Sequence, residues 1–293
     1  MTGDDIRQKC ISVAFAGLAN AGKSSLMDKI VGKKISIISP KEQTTRDVIR
    51  GIVVEKNTQL IIIDTPGIFI PKSGHPLEKK IVRNAWGGLQ EAEAACILID
   101  SVLGITPRVE TLIGDILKRQ KKIIFTLNKT DLVKKEKLLV LAEQLRTIYP
   151  DFLEIFMVSA TKGDNVDKLK KYLLSLAKES PWIFAGDEIS DAPMKFLASE
   201  ITREKIFLKL EKELPYSTDV YTEKWEEFRN GDVRIQQVIR VLRESQRAII
   251  LGKRGNMLKN INIEARNEME KFFGRKIHLF IFAQVRGDWI EKG

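Results

Sequence analysis

The chain has 293 residues, of which 43% are hydrophobic and 30% are charged, and its formal net charge at pH 7 is +10. This composition is typical of a globular protein and excludes fibrous and disordered classes, and the length is sufficient for two domains. No apolar run approaches the roughly 20 residues that a membrane helix needs, and the N-terminus lacks an export-signal pattern. Its two cysteines favour buried thiols over a disulfide or a metal site. We therefore expect a cytoplasmic protein.

Residues 1–178 alternate short apolar segments with segments of helical periodicity. Strands are predicted at 12–15, 48–54, 59–64, 94–100, 122–127 and 154–158. Helices are predicted at 24–31, 76–91, 109–119, 135–148 and 166–178. This alternation predicts an α/β domain with a doubly wound, mostly parallel sheet covered by helices on both faces. In such sheets ligands bind beyond the carboxyl ends of the strands.

The pattern changes after residue 178. Proline, glycine and aspartate interrupt the periodicity of residues 179–193, so we interpret this segment as a linker. Residues 194–293 then form a smaller α+β domain. Its predicted elements are a helix at 195–214, strands at 218–228 and 232–242, helices at 245–251 and 257–273, and a strand at 277–285. Asn230-Gly231 between the two strands is a strong hairpin signal.

Charge is unevenly distributed in the second domain. Residues 179–232 contain seven Lys and Arg against thirteen Asp and Glu, whereas residues 233–293 contain thirteen against six. A basic excess favours an acidic partner such as RNA, but a solvated charged face gives the same pattern. The charge therefore needs support from a motif.

Residues 17–24 have the sequence GLANAGKS, which fits GxxxxGK[ST] between a predicted strand and a helix. Backbone N–H groups of such a loop wrap phosphates, and the next helix presents its positive end to them. Lys23 is expected to reach the β and γ phosphates, and Ser24 is expected to bind Mg²⁺. The remaining residues expected to contact the phosphates are Gly17, Asn20, Ala21, Gly22 and Ser25.

Three further motifs follow predicted strands, and they supply the residues expected to bind Mg²⁺ and the base. In 64–67 (DTPG), Asp64 can hold Mg²⁺ through water and the Gly67 N–H can meet the γ-phosphate. In 128–131 (NKTD), Asp131 can accept two hydrogen bonds that guanine offers and adenine does not. The other residues expected at the base are Asn128, which can also tie this loop to the phosphate loop, Lys129, Ser159 and Ala160. The sequence therefore predicts a GTP site.

Residues 42–47 (EQTTRD) lie between the first helix and the second strand. A threonine in this segment would bind Mg²⁺ and sense the γ-phosphate, which is the order–disorder switch of this class of proteins. Thr45 is the first choice and Thr44 the alternative. A polar surface loop remains an alternative interpretation of these six residues. We assign Thr45 a catalytic role together with Asn20, Lys23 and Gly67.

A second phosphate-contacting motif lies in the last domain. Residues 252–255 (GKRG) form a GxxG turn between two predicted helices, within the element order of a type II KH domain. In KH domains this turn holds the nucleic-acid backbone close to the protein. Lys253 and Arg254 would supply phosphate charge, and Gly252 and Gly255 would permit close approach. Arg247, Lys259 and Arg266 would extend the patch, although each taken singly is more often a solvated residue.

These motifs together resemble the translation-factor-related GTPases, and over nearly the whole chain they resemble the Era family. The resemblance implies a GTPase that binds 16S rRNA near its 3′ end and assists 30S subunit assembly, with no DNA partner. It also implies peripheral association with the inner face of the membrane. Ile68 occupies the position of a water-orienting glutamine in Ras-like proteins, so slow intrinsic hydrolysis is expected. Asn20 matches an asparagine that supports a catalytic potassium ion in some of these families.

The chain departs from the usual family pattern at Ala19, Ala21 and Asn262. Three other functions were weighed. A tRNA-modifying GTPase would need an added catalytic domain, and a tandem-GTPase ribosome factor would need a second phosphate loop. A membrane-surface scaffold would need a basic amphipathic helix, whereas the charges of 257–273 are mixed. A GTPase timer whose output is RNA binding fits the motifs better than these alternatives.

Overall fold

A computed structural model describes residues 7–39, 41, 44–69, 71, 76–120, 122–211 and 214–286. The chain divides into two compact units, Met1–Ile35 with Thr45–Asp191 and Ser36–Thr44 with Ala192–Gly293. Among the helices of these described ranges, none is long and apolar enough to cross a membrane.

The first unit is a sheet with helices on both faces. Its strands are β1 (Lys9–Ala16), β2 (Ile49–Glu55), β3 (Thr58–Asp64), β4 (Ala94–Asp100), β5 (Ile123–Asn128), β6 (Glu154–Met157) and β7 (Lys178–Glu179). Its helices are α1 (Lys23–Val31), α2 (Pro76–Glu91), α3 (Pro107–Leu117), α4 (Lys135–Ile148) and α5 (Val166–Ser175). The strand order is β2-β3-β1-β4-β5-β6, and within this path only the β2–β3 pair is antiparallel. Strands β1, β4 and β5 are almost continuously apolar and buried, as expected for a sheet covered on both faces.

The strand register brings the predicted motifs to one edge of the sheet. Phe15 near the end of β1 pairs with Asp64 at the end of β3, and Asp100 at the end of β4 pairs with Asn128 at the end of β5. Because the carboxyl ends of neighbouring parallel strands lie level, the loops that follow them converge. The motifs in these loops are therefore close in space although they span more than a hundred residues.

The second unit is a three-stranded sheet with helices packed on it. Its elements are α6 (Met194–Lys209), β8 (Thr218–Glu227), β9 (Val233–Val241), α7 (Glu244–Leu251), α8 (Asn256–Phe273) and β10 (Ile277–Val285). The strand order is β10-β9-β8, with β9 parallel to β10 and antiparallel to β8. A core that includes Ile235, Ile239, Ile261, Ala265 and Ile281 joins the sheet to the helices. The predicted fold class, a doubly wound α/β domain followed by a smaller α+β domain of KH order, is confirmed.

The segment predicted as a linker differs from that expectation, because it packs along the first unit. Lys178–Glu179 forms β7, which pairs with β1, and Ile52 N on β2 donates to Ile189 O (2.9 Å). The side chain of Gln59 is fully buried and needs polar partners. Backbone N–H groups of Ile183 and Phe184 provide them by donating to Gln59 Oε1 at 2.9 and 3.1 Å.

The helix predicted at 195–214 also differs from the structure. Helix α6 ends at Lys209, and Leu210 has an extended backbone with φ −101° and ψ 148°. Residues 212 and 213 lie outside the described residues, and Pro215 begins a single 3₁₀ turn. The break lies at Leu210, five residues before Pro215, and Leu214 has helical backbone angles (φ −63°, ψ −44°), so Pro215 does not cause the end of α6.

Candidate nucleotide and nucleic-acid sites

The loop between β1 and α1 is held by contacts that leave no room for side chains at two of its glycines. A Cβ atom on Gly17 would lie 2.6 Å from the carbonyl oxygen of Leu98 on β4. Gly22 has a φ of +92°, and a Cβ there would lie 2.2 Å from Asn128 Nδ2. Gly17 is therefore required by sterics, because the close atom belongs to the backbone, and Gly22 is required by its backbone angle.

Lys23 is the first residue of α1, and only 6% of its surface is exposed. Its Nζ donates to Gly17 O (3.1 Å) and Leu18 O (3.0 Å), so the ammonium group lies inside the loop. Burial lowers the pKa of Lys23 to about 8, and the nearby Asp64 carboxylate partly opposes that shift. A poorly hydrated cation enclosed by this loop is suited to bind phosphate.

Three oxygen-bearing side chains from separate segments meet beside α1. Ser24 Oγ donates to Asp64 Oδ2 (2.6 Å), and it lies 3.1 Å from Thr45 Oγ1. Asp64 is fully buried, and its Oδ1 has no hydrogen-bond partner in the described part of the chain. Burial raises the pKa of Asp64 to about 6, although Lys23 and the bond from Ser24 oppose the shift. A buried carboxylate oxygen without a partner, next to two hydroxyls, has the donor chemistry that Mg²⁺ prefers.

The two threonines of the predicted switch segment have different surroundings. Thr45 faces Ser24, whereas Thr44 Oγ1 lies 2.6 Å from Ser39 Oγ and donates to Lys41 O (2.6 Å). The structure therefore places Thr45, and not the alternative Thr44, beside the candidate metal ligands. Two residues of this segment, Glu42 and Gln43, lie outside the described residues.

Asn128 connects three loops through one buried amide. Its Nδ2 donates to Ala21 O in the phosphate loop (2.9 Å), and its Oδ1 accepts from Ala160 N (3.1 Å). Only 1% of the residue is exposed, so both bonds are shielded from water. An asparagine is suited to this position because its amide offers a donor and an acceptor on one rigid plane. The contact predicted between this motif and the phosphate loop is present.

Asp131 and Lys129 are each oriented by a neighbour that the sequence did not reveal. Ser159 Oγ donates to Asp131 Oδ1 (2.6 Å), which leaves Oδ2 of the carboxylate for another donor. Lys129 has a left-handed backbone (φ 63°), and its Nζ lies 2.6 Å from Asp100 Oδ2. Asp100 ends β4 and is level with Asn128, so the strand register sets this ion pair.

The remaining predicted residues of this site lie around the same loop. Asn20 is exposed and has a left-handed backbone (φ 62°), a conformation that asparagine tolerates better than most residues. Ser25 follows Ser24 in the first turn of α1. Gly67 lies against Ala19, and Ile68 is 8% exposed and belongs to the main hydrophobic core. The Ile68 side chain therefore points away from solvent.

In the second unit, the GxxG turn forms a single 3₁₀ turn between α7 and α8. Lys253 and Arg254 at its tip are exposed, and Arg254 has a left-handed backbone (φ 54°). Gly252 has a φ of +70°, and a Cβ there would lie 2.6 Å from the Cβ of Met257. Gly255 also has a positive φ of 77° but has open space around it. The turn thus presents two cations next to a backbone without side-chain bulk.

The three other basic residues predicted for this patch differ from one another in the structure. Lys259 is exposed on α8. Arg266 is partly buried, and its Nε has no hydrogen-bond partner among residues the structure describes. Arg247 Nε donates to Ala283 O on β10 (3.1 Å), and its guanidinium also pairs with Glu244. Arg247 therefore fastens α7 to the sheet, a contact that its spacing in the sequence did not indicate.

The fold and the converging loops define a class of protein, a P-loop GTPase followed by a KH domain. Residues 12–129 match the family described as 50S ribosome-binding GTPase, and residues 213–290 match the KH domain family. The first match lies in the first unit apart from Ser36–Thr44, and the second match lies in the second unit.

Relatives and solved structures are similar to this chain over almost its entire length. GTPase Era of Bradyrhizobium diazoefficiens is 45% identical over 281 residues, which cover 96% of this chain and 90% of that protein. GTPase Era of Rickettsia conorii is 46% identical over 282 residues, with 96% and 82% covered. A crystal structure of Era in complex with MgGDPNP and nucleotides 1506–1542 of 16S ribosomal RNA has a TM-score of 0.92 at 36% identity, and 97% of this chain and 96% of that chain are covered.

A crystal structure of a single-residue variant of Aquifex aeolicus Era bound to GDP·AlF4⁻ is also similar, with a TM-score of 0.91 at 34% identity and the same coverage of 97% and 96%. The chain belongs to the Era family of GTPases, as its motifs indicated. It is accordingly an enzyme that hydrolyses GTP.

Proposed function

We propose that Lys23, Ser24, Thr45 and Asp64 hold the phosphates of GTP together with Mg²⁺. The observation that carries this assignment is the buried Oδ1 of Asp64, which has no hydrogen-bond partner among the described residues and lies beside the hydroxyls of Ser24 and Thr45. The MgGDPNP bound to the related Era supports the same ligand class. Bound Mg²⁺ would neutralise charge on the β and γ phosphates. Backbone N–H groups of the phosphate loop and of Gly67 would surround the phosphate oxygens.

The guanine end of the site is proposed at the loops after β5 and β6. Asp131 would accept two hydrogen bonds from the base, while its Oδ1 keeps the bond from Ser159. The stem of Lys129 would cover one face of the ring. Ser159 N donates to Asp164 O (3.1 Å) and Ala160 N donates to Asn128 Oδ1 (3.1 Å), so the N–H that meets the guanine carbonyl oxygen would share its hydrogen with that bond. Asn128 would keep the phosphate and base ends at a fixed separation, since it bonds to both loops.

Hydrolysis in this site is proposed to depend on a potassium ion supported by Asn20. The buried Ile68 side chain cannot orient a water molecule, and another group must stabilise the charge that develops during phosphoryl transfer. Asn20 is exposed on the phosphate loop, next to the residues proposed to contact the phosphates. The intrinsic turnover is expected to be slow.

The second unit is proposed to bind single-stranded 16S rRNA near its 3′ end and thereby to assist assembly of the 30S subunit. The exposed Lys253 and Arg254 on the GxxG turn carry this proposal, and the 16S rRNA nucleotides in the related Era complex support it. The description of the matching GTPase family names the 50S subunit instead. Binding assays with fragments of both rRNAs distinguish the two, and tighter binding to a 23S fragment would refute the 16S assignment.

A paired substitution tests the RNA site. Lys253→Ala with Arg254→Ala is expected to weaken binding to an rRNA 3′-end oligonucleotide and to lower the salt slope by about 1.4, taking roughly 0.7 per phosphate contact on a single strand. GTP hydrolysis in the isolated protein should stay near that of the parent. Lys224→Ala with Lys271→Ala is a matched control, because it removes two exposed cations from the same unit outside the turn. Equal RNA affinity in the two double variants would place the RNA site elsewhere.

The protein is proposed to reside in the cytoplasm and to associate peripherally with the inner face of the membrane. The formal charge of +10 favours an anionic lipid surface. Co-sedimentation with vesicles, with and without anionic lipid, tests this association. Equal partitioning into neutral and anionic vesicles would contradict the electrostatic reasoning.

A further inference from the structure

The side chain of Asn262 lies between α8 and the edge strand of the second sheet. Its Nδ2 donates to Leu279 O on β10 (3.0 Å). Among the described strands, β10 pairs with β9 alone. Lys276 O and Arg286 N bond to β9, and alternate residues of a strand direct their backbone groups to opposite sides, so Leu279 O faces the outer edge of the sheet. This bond fixes the plane of the Asn262 amide relative to that edge.

The rest of the amide remains available to a ligand. In the described ranges, the bond to Leu279 is the single hydrogen bond of the Asn262 side chain, which leaves Oδ1 and the second N–H. The residue is only partly buried, so part of its surface is accessible to solvent. An amide anchored in this way presents an acceptor and a donor in a fixed orientation.

Asn262 also lies on the same face of α8 as groups proposed to contact RNA. Gly255, Lys259, Asn262 and Arg266 follow one another at helical intervals of four, three and four residues, and such residues line one side of a helix. On the other helix of the pair, Arg247 is bonded to Ala283 O of the same strand. The two bonded carbonyls are four residues apart, which is about 13 Å along a strand. Both helices that flank the GxxG turn are thereby fastened to one strand edge.

We propose that Asn262 is a specificity-determining residue that contacts an adenine base of the bound RNA strand. The inference rests on the proposed RNA-binding function and adds a contact to a base to the proposed phosphate contacts. Asparagine pairs in a bidentate manner with the N6 donor and N7 acceptor of adenine, whereas guanine offers two acceptors, O6 and N7, at the same edge. In single-stranded RNA the bases are unstacked, so their edges are accessible to such a side chain.

The test is selection from a pool of single-stranded RNA with random bases, performed with the full-length protein and with Asn262→Ala. The parent is expected to enrich adenine at one position, and the variant is expected to lose that enrichment. A good bidentate contact corresponds to roughly 5- to 150-fold discrimination. Asn260→Ala is the matched control, because it makes the same chemical change at an exposed position two residues away on a different side of α8.

Other outcomes have distinct meanings. If the parent and Asn262→Ala enrich the same bases, or if the parent enriches a base other than adenine, the proposal is overturned. A structural role for Asn262 predicts weaker binding with an unchanged base preference, and that result also overturns it. If the parent binds no RNA at all, the proposed function itself fails. Lys253→Ala with Arg254→Ala separates the phosphate contacts from the base contact, because this double variant should reduce affinity while the adenine preference persists.

Discussion

The substitution Asp131→Asn tests the assignment of the guanine site. Ser159 Oγ donates to Asp131 Oδ1, so the amide oxygen of an asparagine at this position should remain on Ser159. Its NH₂ group would then face the base, where guanine also presents N–H donors. The loss of two hydrogen bonds to a charged group, at about 1.5–3 kcal/mol each, corresponds to roughly 3–6 kcal/mol. This is a loss of affinity of about 10²- to 10⁴-fold.

The same reasoning predicts a gain for a different nucleotide. Xanthosine triphosphate carries an oxygen in place of the guanine amino group, and that oxygen can accept from the new NH₂ group. The parent should therefore bind GTP more tightly than xanthosine triphosphate, and Asp131→Asn should show the reverse preference. Kd values measured with fluorescent analogues of both nucleotides test this. Asp151→Asn is the control, because it neutralises an exposed carboxylate outside these loops. Unchanged GTP affinity in Asp131→Asn would refute the assignment of Asp131 to the base.

The geometry predicts three further outcomes. Hydrolysis should be faster in potassium than in sodium, and Asn20→Ala should remove that difference; equal rates in both salts would exclude the cation mechanism. Because the pKa of Asp64 is raised to about 6, protonation of this carboxylate below that pH should weaken Mg²⁺-dependent nucleotide binding. In Asp64→Asn, nucleotide affinity measured over the same pH range should change only through protonation of the nucleotide itself. Parallel curves of affinity against pH for the two proteins would contradict this reasoning. Ser159→Ala should reduce the nucleotide switch caused by Asp131→Asn, since the orienting hydroxyl is lost, whereas an undiminished switch would show that Ser159 does not orient residue 131.

Much of the nucleotide site was predictable, because its motifs occur at strand ends. A parallel sheet brings the carboxyl ends of its strands to one edge, so Asp64 and Asn128 could be expected near the phosphate loop. The partners of Asp131 and Lys129 were less accessible to prediction. The bond from Ser159 to Asp131 and the pair of Lys129 with Asp100 depend on how two strand ends align. That alignment is a tertiary property without a short sequence signature.

The packing of the predicted linker was missed for a related reason. Proline and glycine correctly indicate that residues 179–193 form neither a long helix nor a long strand. They do not reveal that Gln59, on β3, is buried and takes its hydrogen bonds from this segment. A buried side-chain amide forms hydrogen bonds with nearby backbone groups, because a buried polar group without partners costs free energy. The sequence separation of more than a hundred residues conceals that requirement.

Charge alone was a weak guide to the RNA surface. Residues 233–293 are densely basic, but residues 1–178 contain twenty-nine Lys and Arg against twenty Asp and Glu and so carry a similar net charge. The exposed position of Lys253 and Arg254 on the GxxG turn distinguishes the second unit, and this position follows from backbone geometry. Arg247 illustrates the converse, because its cation is engaged with the protein itself.

Ala19 and Ala21, two departures from the family pattern, lie where the phosphate loop is closely packed. Ala21 is 3% exposed, and its Cβ lies 3.4 Å from the place where a side chain on Gly17 would begin. A Cβ on Gly67 would lie 2.9 Å from the backbone nitrogen of Ala19 and 3.0 Å from its Cα. A residue larger than glycine at position 67 would therefore displace the phosphate loop in addition to perturbing the proposed γ-phosphate contact. Because small residues on both sides permit this approach, contact with its neighbours positions the phosphate loop.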